Sequence, residues 1–190
     1  MTSAPYVQRS LTTGDDLMPL LGWFADEELM AGMNLPARSL SLAQVKKYVA
    51  SFDNENRILF GIFAADGALI GTRLVEIEPF HRRAEFFLLV GDRERWDSGV
   101  TVHTGLAFYD WLFDERGVNK VIAQIRSDNA AARRRAEAAG YAREATLLRE
   151  VRDPRGDGYV DLERYIMFAD DWPRLRERFM ATIERHADGA

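Results

Sequence analysis

The sequence predicts a mixed α/β fold of α+β-like character, with one central, mostly antiparallel sheet flanked by helices. Three observations predict it. Strand-like and helix-like stretches alternate too little for a doubly wound parallel sheet and too much for separate α and β regions. Consecutive strand patterns are joined by short polar turns, as at Asp66–Gly67 and again at residues 153–158. One nearly all-apolar run, residues 84–90, suits the centre of a sheet.

The elements follow in order. Residues 6–11 read as a first strand, and residues 15–33 as a helical region broken near Ala25 and Asp26. Leu35–Pro36 ends that region, since the residue before proline avoids the helical conformation. Ser41 caps a helix to about Phe52, with Val45, Tyr48, Val49 and Phe52 at helical spacing on one face. A hairpin of residues 57–64 and 69–77 precedes the apolar strand 84–90. The polar loop 91–98 leads into a helix over residues 100–114, which Gly117 helps terminate. Residues 120–125 form another strand, and residues 129–139 a helix that stops at Gly140. A second hairpin takes residues 141–151 and 159–168. The Asp171-Trp172-Pro173 stretch starts a closing helix to about residue 185. No repeat or linker divides the chain, so a single domain over residues 1–190, with its core at about 6–168, is expected.

Composition narrows the chemistry. A hydrophobic fraction of 47% with 29% charged residues is that of an ordinary globular protein. A net charge of −5 gives no basic footprint for nucleic acid. With no cysteine, a disulfide framework, a thiolate metal site and a cysteine nucleophile are excluded. His81, His103 and His186 do not pair at a metal-ligand spacing, so no metal is expected. The N-terminal residues lack the pattern of a signal peptide and no apolar run is long enough to span a membrane, so a cytoplasmic location is the expectation.

The informative stretch is residues 84–141. A buried strand runs through a polar loop containing Gly99 straight into a helix, and exposed amides at a helix start make an anion site. Into and along this stretch the chain carries His81-Arg82-Arg83-Ala84-Glu85, Val90-Gly91-Asp92-Arg93-Glu94 and Trp96-Asp97-Ser98-Gly99-Val100-Thr101. With them come Asn129-Ala130-Ala131-Ala132-Arg133-Arg134 and Glu137-Ala138-Ala139-Gly140-Tyr141. Together they resemble the signature of the GNAT superfamily of acyl-CoA N-acyltransferases, in its RimJ/RimL-like branch. The resemblance covers residues 6–168 and implies a sheet splayed between strands 84–90 and 120–125, with acyl-CoA lying in the split. It implies that backbone groups of Leu88, Leu89 and Val90 pair with the pantetheine arm, one amide there polarising the thioester carbonyl. It implies that amides from Trp96, Asp97, Ser98, Gly99, Val100 and Thr101 hold the diphosphate. Asn129 would bond the pantetheine end of CoA, or cap its helix, or do both.

Departures from the family pattern bear on activity. At the family's first phosphate-loop positions stand Trp96, Gly99 and Thr101, of which only the central glycine matches. Asp97 stands where relatives usually have glycine, and a carboxylate beside a diphosphate costs electrostatic energy unless it points to solvent. Ala132 and Ala136 occupy the positions where the family supplies a serine or tyrosine acid. Glu85 is the expected general base: Phe87 and Leu89 follow on its face at period two, and apolar surroundings raise a carboxylate toward a base's working range. Its alternative is a strand-end glutamate paired with Arg82 or Arg83.

The resemblance thus implies an acetyltransferase moving the acetyl group of acetyl-CoA to a small-molecule amine or a protein N-terminus. The His-Arg-Arg-Ala-Glu stretch also resembles acetyltransferases of nucleotide-linked amino sugars. The competing reading is a catalytically weak acyl-CoA-binding or sensing protein, suggested by Asp97, Ala132 and Ala136 together. The acceptor site is expected from residues 23–38 and the loop 153–158. There Asp26, Glu27 and Glu28 attract an ammonium group or serve a helix start. Of Arg133, Arg134 and Arg135, not all can face one phosphate, and Arg133 lies one turn before Glu137, as in a surface pair. The closing helix repeats Leu175, Phe179 and Ile183 every four residues, which suits a homodimer interface or intramolecular packing.

Overall fold

The protein is described by a computed structural model over residues 6–96 and 98–188. Strand β1 (Tyr6–Ser10) is followed by helices α1 (Met18–Ala25), α2 (Glu27–Gly32) and α3 (Leu42–Val49). Strands β2 (Arg57–Ala64), β3 (Leu69–Glu78) and β4 (Arg83–Val90) lead to α4 (Val100–Asp110). Then come β5 (Lys120–Arg126), α5 (Ala130–Ala138), β6 (Ala142–Arg152), β7 (Tyr159–Phe168) and α6 (Trp172–Asp188).

The strands form one seven-stranded sheet in the order β1-β2-β3-β4-β5-β7-β6. Every neighbouring pair is antiparallel except β4 and β5, which the α4 crossover makes parallel. That parallel pair is short. It runs from Arg83 opposite Lys120 only to Glu85 opposite Ile122, after which the two strands part.

Apolar side chains divide between the two faces. On one, Leu17 and Leu20 from the α1 region and Val45 and Val49 of α3 close over Leu59 and Phe63 of β2. On the other, Phe108 and Tyr109 of α4 and Leu175 and Phe179 of α6 cover Val75, Ala84, Val121 and Tyr165. Alternation along β4 sends Ala84 and Phe86 to the α4–α6 face and Leu89 to the α2 face, where it meets Leu29 and Met30. Leu175 and Phe179 are therefore taken up within the chain, the intramolecular alternative of the sequence reading.

Local chemistry explains the helix boundaries. Asp26 breaks the 15–33 region: it is extended, and its side chain accepts from the amides of Glu28 and Leu29, starting α2. Ser41 and Gln44 form a reciprocal capping box at α3. The expected helix 100–114 does not run through. It is α-helical to Asp110 and then widens into a π turn, Trp111–Glu115, which keeps Leu112 and Phe113 buried. None of the described helices is long and apolar enough to cross a membrane.

Candidate active site

Where β4 and β5 part, a cleft of about 720 Å³ opens between them. β4 forms one wall from Phe86 to Val90, and β5 and the start of α5 form the other, through Gln124, Arg126 and Asn129. Helix α2 stands at the mouth with Glu27, Glu28 and Met33.

Glu85 sits at the apex, in the last residue pair joining the two strands. Its carboxylate accepts from Gln124 Nε2 at 2.7 Å, so it pairs with neither Arg82 nor Arg83. Arg82 instead donates to the Gly117 carbonyl. Burial pushes the Glu85 carboxyl above its ordinary value, against the opposing pull of Gln124 and, at longer range, Arg164. Glu85 is half-buried and does not itself line the cleft; Gln124 does.

The backbone beyond Glu85 is directed by strand alternation. Gly91 N–H donates to Ile70 of β3, whereas the Val90 carbonyl accepts from Trp96 Nε1 at 2.8 Å. Residues in step with Val90 thus aim their peptide groups away from β3, so Leu88 presents an N–H and a C=O to the split. A polar arm laid along β4 would find a strand's pairing edge there. The Trp23 ring lies flat against Gly91, where a Cβ would come within 2.0 Å of it, so only glycine lets the loop turn at this point.

Gly99 is the N-cap of α4 at φ 76°, a left-handed conformation that glycine adopts without strain. It has no side chain to close the helix start, while Val102 and His103 N–H groups already use its carbonyl. The amides ahead of them stand at a helix start, where backbone N–H groups are suited to an anion. Leu88, Leu89, Val90, Trp96, Thr101 and Asn129 line the cleft; Ser98, Gly99 and Val100, between Trp96 and Thr101 in the chain, are not among its lining residues. Ser98 Oγ donates to the Arg95 carbonyl and accepts from the Tyr6 hydroxyl, both at 2.8 Å. Asp97, expected in this loop, lies outside the described residues. Asn129 caps α5 through its side-chain oxygen, which accepts from Ala132 N–H at 3.0 Å and leaves its amide nitrogen for another partner.

The remaining sequence expectations separate. Asp26 is taken by its helix cap and by Arg93 at 2.8 Å, which hold its carboxyl below the usual range; Glu27 and Glu28 reach the cleft, Glu28 paired with the same Arg93. Arg135 is the one residue of the arginine run that lines the cleft. The Arg133–Glu137 pair does not form as expected, because Glu137 accepts from the Tyr165 hydroxyl at 2.8 Å. Arg155 of the expected 153–158 loop lines the cleft, and so do residues not anticipated as part of the site: Arg73, Tyr109, Gln124, Arg126 and Tyr141. Arg126, 3% exposed, is bonded to Asp128 at 2.9 Å and to Asp153 at 3.3 Å, tying the 153–158 loop to the start of α5. The available signal was an arginine at the in-facing end of an apolar strand.

Residues 9–142 match the family model described as an acetyltransferase (GNAT) domain. The chain belongs to the GNAT acetyltransferase family. It is thus an acyl-CoA-dependent N-acetyltransferase with acetyl-CoA as acyl donor. Solved structures share its fold. The spermidine N-acetyltransferase from Vibrio cholerae, determined with CoA and spermine, superposes with a TM-score of 0.79 at 20% identity, covering 90% of this chain and 99% of that one. A GCN5-related N-acetyltransferase from Brucella melitensis gives a TM-score of 0.79 at 14% identity, covering 94% and 82%. A sequence comparison with curated proteins finds no match. The cleft suits the donor: it has a strand edge for the amides of the pantetheine arm and an uncapped helix start for the diphosphate.

Proposed function

We propose that this acetyltransferase acts on a primary amine, of a small molecule or a protein N-terminus, by direct attack on the thioester, with Glu85 taking the amine proton. The observation that carries this is the half-buried Glu85–Gln124 pair at the apex of the parted strands. Leu88 N–H polarises the thioester carbonyl, the amides at the start of α4, from Gly99 to Thr101, hold the diphosphate, and Asn129 meets the pantetheine end; the Trp96 and Ser98 amides, expected in that set, donate instead to the Arg93 and Arg95 carbonyls. Because Gln124 rather than Glu85 lines the cleft, the proton passes to Glu85 through one water. Attack comes from the α2 face, on which Glu85 lies with Leu89.

The acceptor side is bounded by Glu27 and Glu28 of α2; Glu28 is paired with Arg93, and Glu27 favours a cationic amine at the cleft mouth. The Vibrio enzyme's name makes polyamines the first amines to try, beside N-terminal peptides and amino sugars. The single-domain organisation, supported by the continuous sheet, and the RimJ/RimL-like branch, which rests on the sequence resemblance, belong to the same reading. A homodimer would use the exposed edge strand β6, because α6 packs inward.

Calorimetric titration with acetyl-CoA, free CoA and longer acyl-CoAs, followed by thiol release with the amine panel, tests the proposal. Acyl-selective binding and amine-dependent thiol release are expected. Absence of binding at millimolar acetyl-CoA would remove it, and binding without transfer to any amine would favour the sensing role instead.

A further inference from the structure

In this reaction the departing thiolate needs a proton, and the two α5 positions where the family places a donor carry only methyl groups. Ala132 and Ala136 both line the cleft. Two tyrosines line the same cleft. Tyr109 of α4 and Tyr141, just past α5, are buried, and their hydroxyls meet at 2.9 Å. Among the described residues each is the other's only hydrogen-bond partner.

Both rings pack on Phe86, with centroids 6.4 and 6.3 Å from it. Phe86 is the first residue of β4 beyond the last β4–β5 pair, so the two rings pack toward the closed end of the split. Consecutive strand residues point to opposite faces. The tyrosines therefore lie on the α4–α6 face of the sheet and Glu85 on the other.

Arg73 stands behind the pair, 1% exposed. Its guanidinium lies 4.3 Å from the centre of the Phe108 ring and bonds Gln8 and Thr104, while its Nε has no partner. Burial lowers it to about 10, so it stays charged at neutral pH, and that charge favours an ionised tyrosine nearby. Burial acts the opposite way on both tyrosines, raising them and keeping them protonated at rest.

We infer that the Tyr109–Tyr141 hydroxyl pair, backed by Arg73, donates a hydrogen bond to the departing CoA thiolate and so stabilises it; this rests on the acetyl-transfer reading. As the C–S bond breaks, its electron pair passes to sulfur, and the thiolate is held by a phenol O–H until it takes a proton from solvent. Both phenols stay protonated, one hydroxyl donating to the other and Arg73 polarising the pair. The amine's proton leaves on the opposite face, through Glu85 to solvent.

The test is the ionisation of the CoA thiol when bound, read by thiolate absorbance across pH at saturating CoA. Wild type is compared with Tyr109→Phe/Tyr141→Phe, which removes both hydroxyls and leaves neither orphaned. Hydroxyls donating to sulfur stabilise the thiolate, so the bound thiol should ionise about one pH unit lower in wild type, a roughly tenfold effect. Equal ionisation with CoA bound in both proteins overturns the inference and leaves the acetyl-transfer reading intact. Failure of wild type to bind CoA overturns both. Should only the double variant fail to bind, Tyr109→Phe and Tyr141→Phe singly carry the comparison, and ionisation unchanged in both overturns the inference.

Discussion

Glu85→Gln separates a catalytic role for this residue from a structural one, because the two side chains have the same shape. Gln124 Nε2 donates to Glu85 Oε1 at 2.7 Å, and a glutamine oxygen in the same place accepts that bond equally well. What disappears is the ability to take a proton, and a positioned general base contributes about 10²–10⁴-fold. The kcat for thiol release from acetyl-CoA should fall by that factor, with acetyl-CoA affinity little changed.

The pH profile provides a second discriminator. Burial raises Glu85, so wild-type activity should climb through an inflection above the ordinary glutamate value of about 4.3. Glu85→Gln should lack that inflection, while the later rise from deprotonation of the amine is common to both proteins. Stability should move the other way. A carboxyl with a raised folded-state pKa contributes stability that is present below its unfolded pKa and lost as pH rises through the folded value. At neutral pH the ionised Glu85 is a net cost, and Glu85→Gln should melt no lower than wild type. Full activity in Glu85→Gln refutes the base assignment. A lowered melting temperature accompanying the lost activity would mean that the pair is structural.

Three further outcomes follow from the loop and the sheet edge. Trp96→Phe loses the 2.8 Å indole bond to the Val90 carbonyl, worth about 1 kcal/mol net; acetyl-CoA affinity by calorimetry should fall roughly fivefold. Gly99→Ala places a Cβ at φ 76°, costing about 1–2 kcal/mol; thermal melting should drop by roughly 2–8 °C and acetyl-CoA should bind more weakly. Asp15, held at about 2 chiefly by Arg9, contributes stability above its unfolded pKa that is lost as pH falls toward 2. Because Arg9 is half-exposed, screening limits that contribution to about 1 kcal/mol. Denaturant titration of Asp15→Asn should show the deficit at pH 7 and a much smaller one as pH approaches 2.

Periodicity made most of the architecture readable, and register hid most of the site. The hairpins, the break at Asp26 and the uncapped start of α4 follow from local chemistry, and the sequence carries that chemistry in single residues such as Asp26, Ser41 and Gly99. The end of α4 was misplaced because Trp111, Leu112 and Phe113 are apolar in either helix type, and only the hydrogen bonds distinguish an α turn from a π turn. Arg133 and Glu137 have the spacing of a pair, but Tyr165 arrives from β7 and takes the carboxylate, a partner that no local pattern contains.

The same distinction governs the active site. Glu85 was legible because strand parity puts it with Phe87 and Leu89. Gln124 was not, since its place depends on where β5 pairs with β4. Arg73 interrupts the apolar strand β3, and that interruption was its one signal. Its burial against Phe108, and its place beside Tyr109 and Tyr141, depend on β3, α4 and the end of α5 packing together. A buried guanidinium is costly without a compensating role. Here Gln8 and Thr104 satisfy only part of its hydrogen-bonding capacity, leaving Nε unpaired. Polarising the Tyr109–Tyr141 hydroxyls toward a departing thiolate is a role that would justify keeping a charge in that position.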